Sequence, residues 1–192
     1  LFYITNWPLA PAIPQKDTQM IQKQNSKITR DTNLRLLFGV TLMAVMGVAV
    51  IAPAFPRIIR ELGISSGQVG LLVTIFTLPG IVLTPLLGVM ADRVGRKTVL
   101  VPSLILFGTA GLACCFCRDF GTLLVFRALQ GTGAAPLMAL NVTLIGDLYR
   151  GRQRARALGY NAGVLSIGTA SYPTRGGALA AIGWFYPFAL SA

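Results

Sequence analysis

Residues Gly88–Lys97 read GVMADRVGRK, and they crowd Asp92, Arg93, Arg96 and Lys97 between two runs that carry no charge at all, about Val69–Ala91 and Thr98–Cys117. Each run holds about 20 residues, which at about 1.5 Å rise per residue crosses a hydrocarbon layer of roughly 30 Å. Two such runs joined by a charged link make a hairpin of membrane-spanning helices, with the charge placed where water begins. Composition agrees. Of the 192 residues, 54% are hydrophobic and only 12% charged, where soluble domains carry about 25% charged residues, and the mean hydropathy is +0.65.

Three further apolar runs flank this hairpin: Leu34 to roughly Phe55, about Thr122–Ile145, and about Ala157–Ile182. The expected fold class is therefore all-α, a polytopic membrane helical bundle. Short polar links make consecutive helices antiparallel neighbours. Ser65 and Ser66 stand before the second run as N-caps. From Gly183 the chain reads GWFYPFAL, an interfacial aromatic anchor opening a sixth helix, since Trp and Tyr favour the headgroup level. The chain then stops at Ala192, which reads as a fragment truncated in helix six. Residues 1–33 form a polar N-terminal segment, and 34–192 hold helices one to five plus the start of six. The opening LFYITNWPLAPAIP lacks the basic leader and long apolar core of a signal peptide. Met20 reads as the initiator, which places residues 1–19 outside the native coding sequence.

Charge sets an orientation. Lys16, Lys23, Lys27, Arg30 and Arg35 precede or open the first span, Arg93, Arg96 and Lys97 join the second to the third, and Arg150, Arg152, Arg154 and Arg156 join the fourth to the fifth. These twelve share one side, against Arg57, Arg60 and Arg118 on the other. Lysine and arginine accumulate on the cytoplasmic side, so the N-terminus is expected in the cytoplasm. A net charge of +11 also invites a nucleic-acid reading, but that predicts one folded basic face rather than charge confined to links. No nucleic-acid partner is expected.

Site chemistry is sparse. There is no His, and the acids are Asp17, Asp31, Glu61, Asp92, Asp119 and Asp147, none at the centre of a span. A hydrolase or metalloenzyme needs a nucleophile, base or ligand cluster facing one cavity, so neither catalysis nor a metal is expected. Cys114, Cys115 and Cys117 read as small apolar packing residues.

Helix packing is more informative. Gly131, Ala135 and Ala139 recur at steps of four, with Gly133 and Ala134 beside them, and Gly159 and Gly163 repeat the pattern in the fifth run. Small residues on one ridge let helices approach closely in lipid. Gly168, Pro173, Gly176 and Gly177 close the fifth run, and Pro79 and Pro85 lie in the second, so both helices are expected to bend.

On these residues the chain resembles the amino-terminal half of the major facilitator superfamily of secondary transporters, over about Leu34–Phe188. Gly88, Asp92, Arg93, Gly95, Arg96 and Lys97 fit that family's loop signature between helices two and three. Arg127, Gln130, Gly131 and Gly133 are similar to its helix-four signature. Gly159, Gly168, Pro173, Gly176 and Gly177 are similar to its helix-five antiporter signature, with Tyr172 where the usual pattern has glycine. Ordinary positive-inside charge explains the bases of the loop but neither Asp92 nor the paired glycines.

The resemblance implies six helices of a twelve-helix bundle in a bacterial cytoplasmic (inner) membrane. It implies transport of a drug, sugar or metabolite by alternating access, as proton-coupled efflux. The loop would gate, Gly88 would admit a helix of the missing carboxy-terminal half, and Arg127 would face the cavity. The implied partners are the lipid bilayer, a small-molecule substrate and that second half. No cofactor is implied beyond an ion gradient. The alternative is a transporter-fold sensor that binds without moving its ligand, which would not need the gating loop.

Overall fold

The computed structural model describes residues 31–190. The expected basic tail, with Lys16, Lys23, Lys27 and Arg30, and the start at Met20 lie outside them. Among the described residues every regular element is helical: α1 (Thr32–Ala49), a 3-10 turn (Ala52–Ala54), α2 (Phe55–Leu62), α3 (Ser66–Val94), α4 (Arg96–Phe116), α5 (Phe120–Ala134), α6 (Leu137–Leu148), α7 (Gly151–Ile182) and α8 (Tyr186–Ala189).

Local chemistry sets most boundaries. Asp31 accepts from the Asn33 amide at 3.0 Å and opens α1. Ser65 and Gln68 form a reciprocal capping box on α3. Asp119 accepts from the Thr122 amide at 2.8 Å to open α5. Gly63 at φ +62° ends α2 and Gly95 at φ +97° separates α3 from α4, a left-handed region that glycine enters at little cost.

The expected spans form, with two corrections. The first continues through its proline-containing turn to Leu62, so Arg57 and Arg60 lie on α2 rather than in a link. There the Arg57 guanidinium donates to the carbonyls of Ala180 and Ala181 at 2.6 and 2.7 Å, satisfying the last turn of α7 as a cation at a helix C-terminus should. The fifth helix begins at Gly151, so Arg152, Arg154 and Arg156 belong to its first turns. Gln, Ala and Arg are strong helix formers, and polarity alone does not make a link. Helices α3 and α7 run as continuous helices through Pro79, Pro85 and Pro173, whereas the fourth span is interrupted at Ala135–Pro136 and the first at Val50–Ala54.

Thr32–Leu62, Ser66–Val94, Arg96–Phe116 and Phe120–Leu148 are each long and apolar enough to cross a membrane. Helix α7 has the length, at 32 residues, but Asn161, Ser166, Thr169, Ser171 and Thr174 dilute its apolar character. Large apolar side chains face outward, with Ile81 75% and Ile105 60% exposed, as lipid allows and water does not. Inside, α5 packs on α3 and α4, and α1 packs on α7 and α6. In the aromatic stretch after Gly183, Trp184 and Phe188 are buried beside Ile58, Leu72 and Leu123, while Phe185 and Tyr186 are exposed. The cysteines pack as expected: Cys114 and Cys117 are buried in the same cluster.

Candidate functional site

Three groups of polar residues stand out at successive depths. The first is at the end that carries Gly95 and Tyr149, the basic end. Arg96, at the start of α4, places Nη1 2.6 Å from Asp147 Oδ2 and Nη2 3.4 Å from Asp92 Oδ1. Its side chain is half-buried, while those of Asp92 and Asp147 are exposed. The guanidinium thus reaches both across the Gly95 turn to α3 and over to the last turn of α6. Exposed ion pairs are worth about 0–1 kcal/mol, so this contact fixes geometry cheaply and can be broken. Asp147 was not among the residues expected at the site. Its signal was an acid placed at the end of a span otherwise flanked by bases. Arg93 and Lys97 are exposed, and a Cβ at Gly88 would meet nothing within 4 Å, so no described helix occupies its face.

Beside this pair, the Tyr149 hydroxyl donates to Asp31 Oδ2 at 2.5 Å, tying the start of α1 to the turn after α6. Burial, and then the neighbouring Asp31 carboxylate, push the Tyr149 phenol above its ordinary range. Because the folded-state value is raised, the stabilisation is complete below pH of about 10 and is lost as alkali ionises the phenol in the folded protein. Replacing Tyr149 with phenylalanine should lower stability by about 1 kcal/mol at neutral pH. Thermal melting in detergent should show that difference vanishing on the alkaline side.

The second group is in the interior. Arg127 is fully buried. Its Nη1 donates to Gln130 Oε1 at 2.8 Å and to the Gly47 carbonyl at 3.0 Å, its Nε donates to the Leu72 carbonyl at 3.3 Å, and its guanidinium lies 4.3 Å from the Phe76 ring centroid. The Gly47 acceptor has a local origin. Where α1 gives way to the 3-10 turn, the Ile51 amide donates to Val48 rather than to Gly47, and Arg127 takes up the freed carbonyl. One turn on, Gly131 lies directly on the backbone of Phe76 in α3, and Gly133 on that of Ser103 and Phe107 in α4. The helix-four residues therefore meet as expected for packing, but Arg127 is enclosed by three spans instead of facing a cavity. Close backbone approach at Gly131 and Gly133 brings carbonyls within its reach.

The third group was missed entirely. Thr41 of α1, Asn141 of α6 and Asn161 of α7 are all buried. Asn141 Nδ2 donates to Thr41 Oγ1 at 2.5 Å and lies 3.3 Å from Asn161 Oδ1, while the Thr41 hydroxyl is 2.6 Å from that same oxygen. Neutral hydrogen bonds of this kind between membrane helices average about 0.6 kcal/mol.

The helix-five residues divide. Gly176 lies against the Val50 carbonyl, and a Cβ at Gly168 would come 3.0 Å from the Leu42 side chain and one at Gly177 3.7 Å from Pro53. Gly159 and Gly163, expected to pack, are exposed, with nothing within 4 Å of an added Cβ. Their face of α7 is open among the described residues, which also place no group of three or more His, Cys, Asp or Glu fit to hold a metal ion.

Comparison with known proteins places this geometry. A family model described as Major Facilitator Superfamily matches residues 37–192. The chain is 31% identical over 167 residues to the bacillibactin exporter of Bacillus subtilis strain 168, covering 81% of this chain and 40% of the exporter. It is 29% identical over 153 residues to the quinolone resistance protein NorA of Staphylococcus aureus strain Mu50, covering 80% of this chain and 39% of NorA. The chain thus spans about two fifths of the length of these curated relatives.

Proposed function

The chain belongs to the major facilitator superfamily, and on that footing we propose that it forms one half of a transporter that exports a small organic solute by alternating access. Its N-terminus lies in the cytoplasm of a bacterial cell, its spans cross the inner membrane, and a proton gradient drives the cycle. Similar proteins named as exporters of bacillibactin and as a quinolone resistance protein support efflux. The observation that carries the reading is Arg96, set between Asp92 and Asp147 across the Gly95 turn.

The three charges work as a latch. When the basic end is closed, Arg96 holds the α3–α4 turn to the end of α6. Asp92, exposed at the end of α3 while in contact with Arg96, also faces the second half of the protein, where Gly88 leaves room for a helix. Breaking a pair worth about 1 kcal/mol or less lets the halves rock around a site near the bilayer midplane. Arg127 serves as a structural anchor in this scheme. The described spans contain no acid away from their ends, so the proton carrier is assigned to the second half.

The test is solute movement in everted membrane vesicles holding the full-length protein. A pH gradient should drive uptake into the vesicles, and a protonophore should stop it. Asp92→Asn should cut the rate at least about tenfold, or about 1.4 kcal/mol in barrier, without loss of folded protein. Solute binding with no gradient-driven movement in the wild type would point to a sensor and overturn the proposal.

A further inference from the structure

The fourth span is two helices, and each is held differently. Helix α5 is fixed by the Arg127 guanidinium to α1 and α3, and by backbone contact at Gly131 and Gly133. At the break, Pro136 has no N–H to continue the helical ladder, and the Ala135 carbonyl accepts from the Thr84 hydroxyl of α3 at 2.8 Å. The interruption therefore has a partner that tolerates it.

Helix α6 is tethered near each end. Asn141, in its second turn, is joined to Thr41 and Asn161, and Asp147, in its last turn, is joined to Arg96. The first tether is incomplete, because Asn141 Oδ1 is buried with no protein donor among the described residues. Swapping the carboxamide oxygen and nitrogen would not complete it, since one amide atom would still face that unpartnered position. Each anchor leaves one buried polar atom without a hydrogen-bond partner among the described residues, Arg127 Nη2 in one half of the span and Asn141 Oδ1 in the other. The first, however, is a cation bonded to backbone carbonyls of two other spans, while the second is a neutral joint between side chains.

We infer that α6 is a lever pivoting at Ala135–Pro136, and that Asn141 is a positioning residue that sets Asp147 against Arg96. This rests on the reading of Arg96 as a latch. Asn141 and Asp147 are separated by six residues, about 9 Å along one helix, and a helix of 12 residues carries a displacement of one end to the other. Release of the interior joint then withdraws Asp147 from Arg96, and breaking the ion pair loosens the joint. The same lever couples the middle of the bilayer, where the solute is handled, to the basic end.

A double-mutant cycle on the full-length protein tests this. Asn141→Leu, Asp147→Asn and the pair are compared for gradient-driven solute uptake into everted vesicles, the direction of efflux from the cell, normalised to folded protein. Each single change should slow efflux about tenfold, and the pair should be no slower than the slower single to within about twofold, because both act through one element. Salt dependence supplies a readout that a purely structural Asn141 would not move. Screening of the exposed pair should alter the wild-type rate but leave Asn141→Leu unaffected. A product near a hundredfold, or an Asn141→Leu protein that keeps the wild-type salt response, overturns the lever. If Asn141→Leu fails to fold, Thr41→Val, which removes one bond of the same joint, replaces it. If Asp147→Asn transports at the wild-type rate, the latch fails first and takes the lever with it.

Discussion

Replacing Arg127 with leucine should cost about 3–5 kcal/mol of stability, because three buried acceptors lose their donor at about 1–3 kcal/mol each and removal of the buried charge offsets part of that, and should abolish transport with it. The guanidinium is the only described donor to the carbonyl that the Ile51 amide leaves unpaired at Gly47, and it also bonds Gln130 and the Leu72 carbonyl. Leucine leaves those groups without that donor in a low-dielectric interior and forfeits the contact over the Phe76 ring, itself worth about 2 kcal/mol when desolvated. Lysine should recover only part of the loss. A single ammonium on a flexible stem does not present donors in the plane that reaches α1 and α3 together. Melting in detergent and folded yield would show it. A leucine variant that folds normally but no longer transports would move Arg127 from anchor to participant.

Gly131→Ala should cost about 3 kcal/mol, the upper end for overpacking, as should alanine at Gly176, whose Cβ would meet the Val50 carbonyl as closely. A Cβ at Gly131 would overlap the Phe76 carbonyl and carbonyl carbon. That neighbour is helix backbone, so α3 and α5 must move apart, and the Arg127–Leu72 bond lies one turn away. Gly159→Ala is the matched comparison. Its Cβ would meet open space, and alanine in an exposed helix position gains up to about 1 kcal/mol over glycine. The two substitutions share a chemistry and should differ in sign. Equal melting temperatures would mean that α3 and α5 are not in backbone contact.

That pair of glycines also shows where sequence stops being legible. Spacing at steps of four marked both as packing residues, yet periodicity cannot say which ridge meets a helix among the described residues and which is left open by them. The spans themselves were readable because a hydrocarbon layer demands about 20 apolar residues whatever the partner, and caps such as Ser65 and Gly95 act locally. Helix breaks were less readable: Pro79, Pro85 and Pro173 sit in continuous helices while Pro136 marks a break, and the difference lies in what surrounds each one. Thr41, Asn141 and Asn161 were invisible for a related reason. Thr41 and Asn141 stand in largely apolar surroundings and Asn161 is one of several polar residues in α7, and only the fold brings together positions 20 to 120 residues apart. The rule that buried polar groups in membranes pair with one another could have flagged them as a set. The Arg96–Asp147 contact was half legible, since the loop motif supplied Arg96 but its acid arrives from the far end of another span.

The most direct measurement is the rate at which the full-length protein moves solute across sealed vesicles with Arg96 intact and with Arg96→Gln, with solute binding and melting recorded on the same preparations. Glutamine keeps much of the side chain's length and hydrogen bonding but removes its charge. A latch at the basic end predicts movement slowed about tenfold or more, with binding and melting close to the wild type. Equal rates from the two proteins, or a wild type that binds solute and moves none, would contradict it.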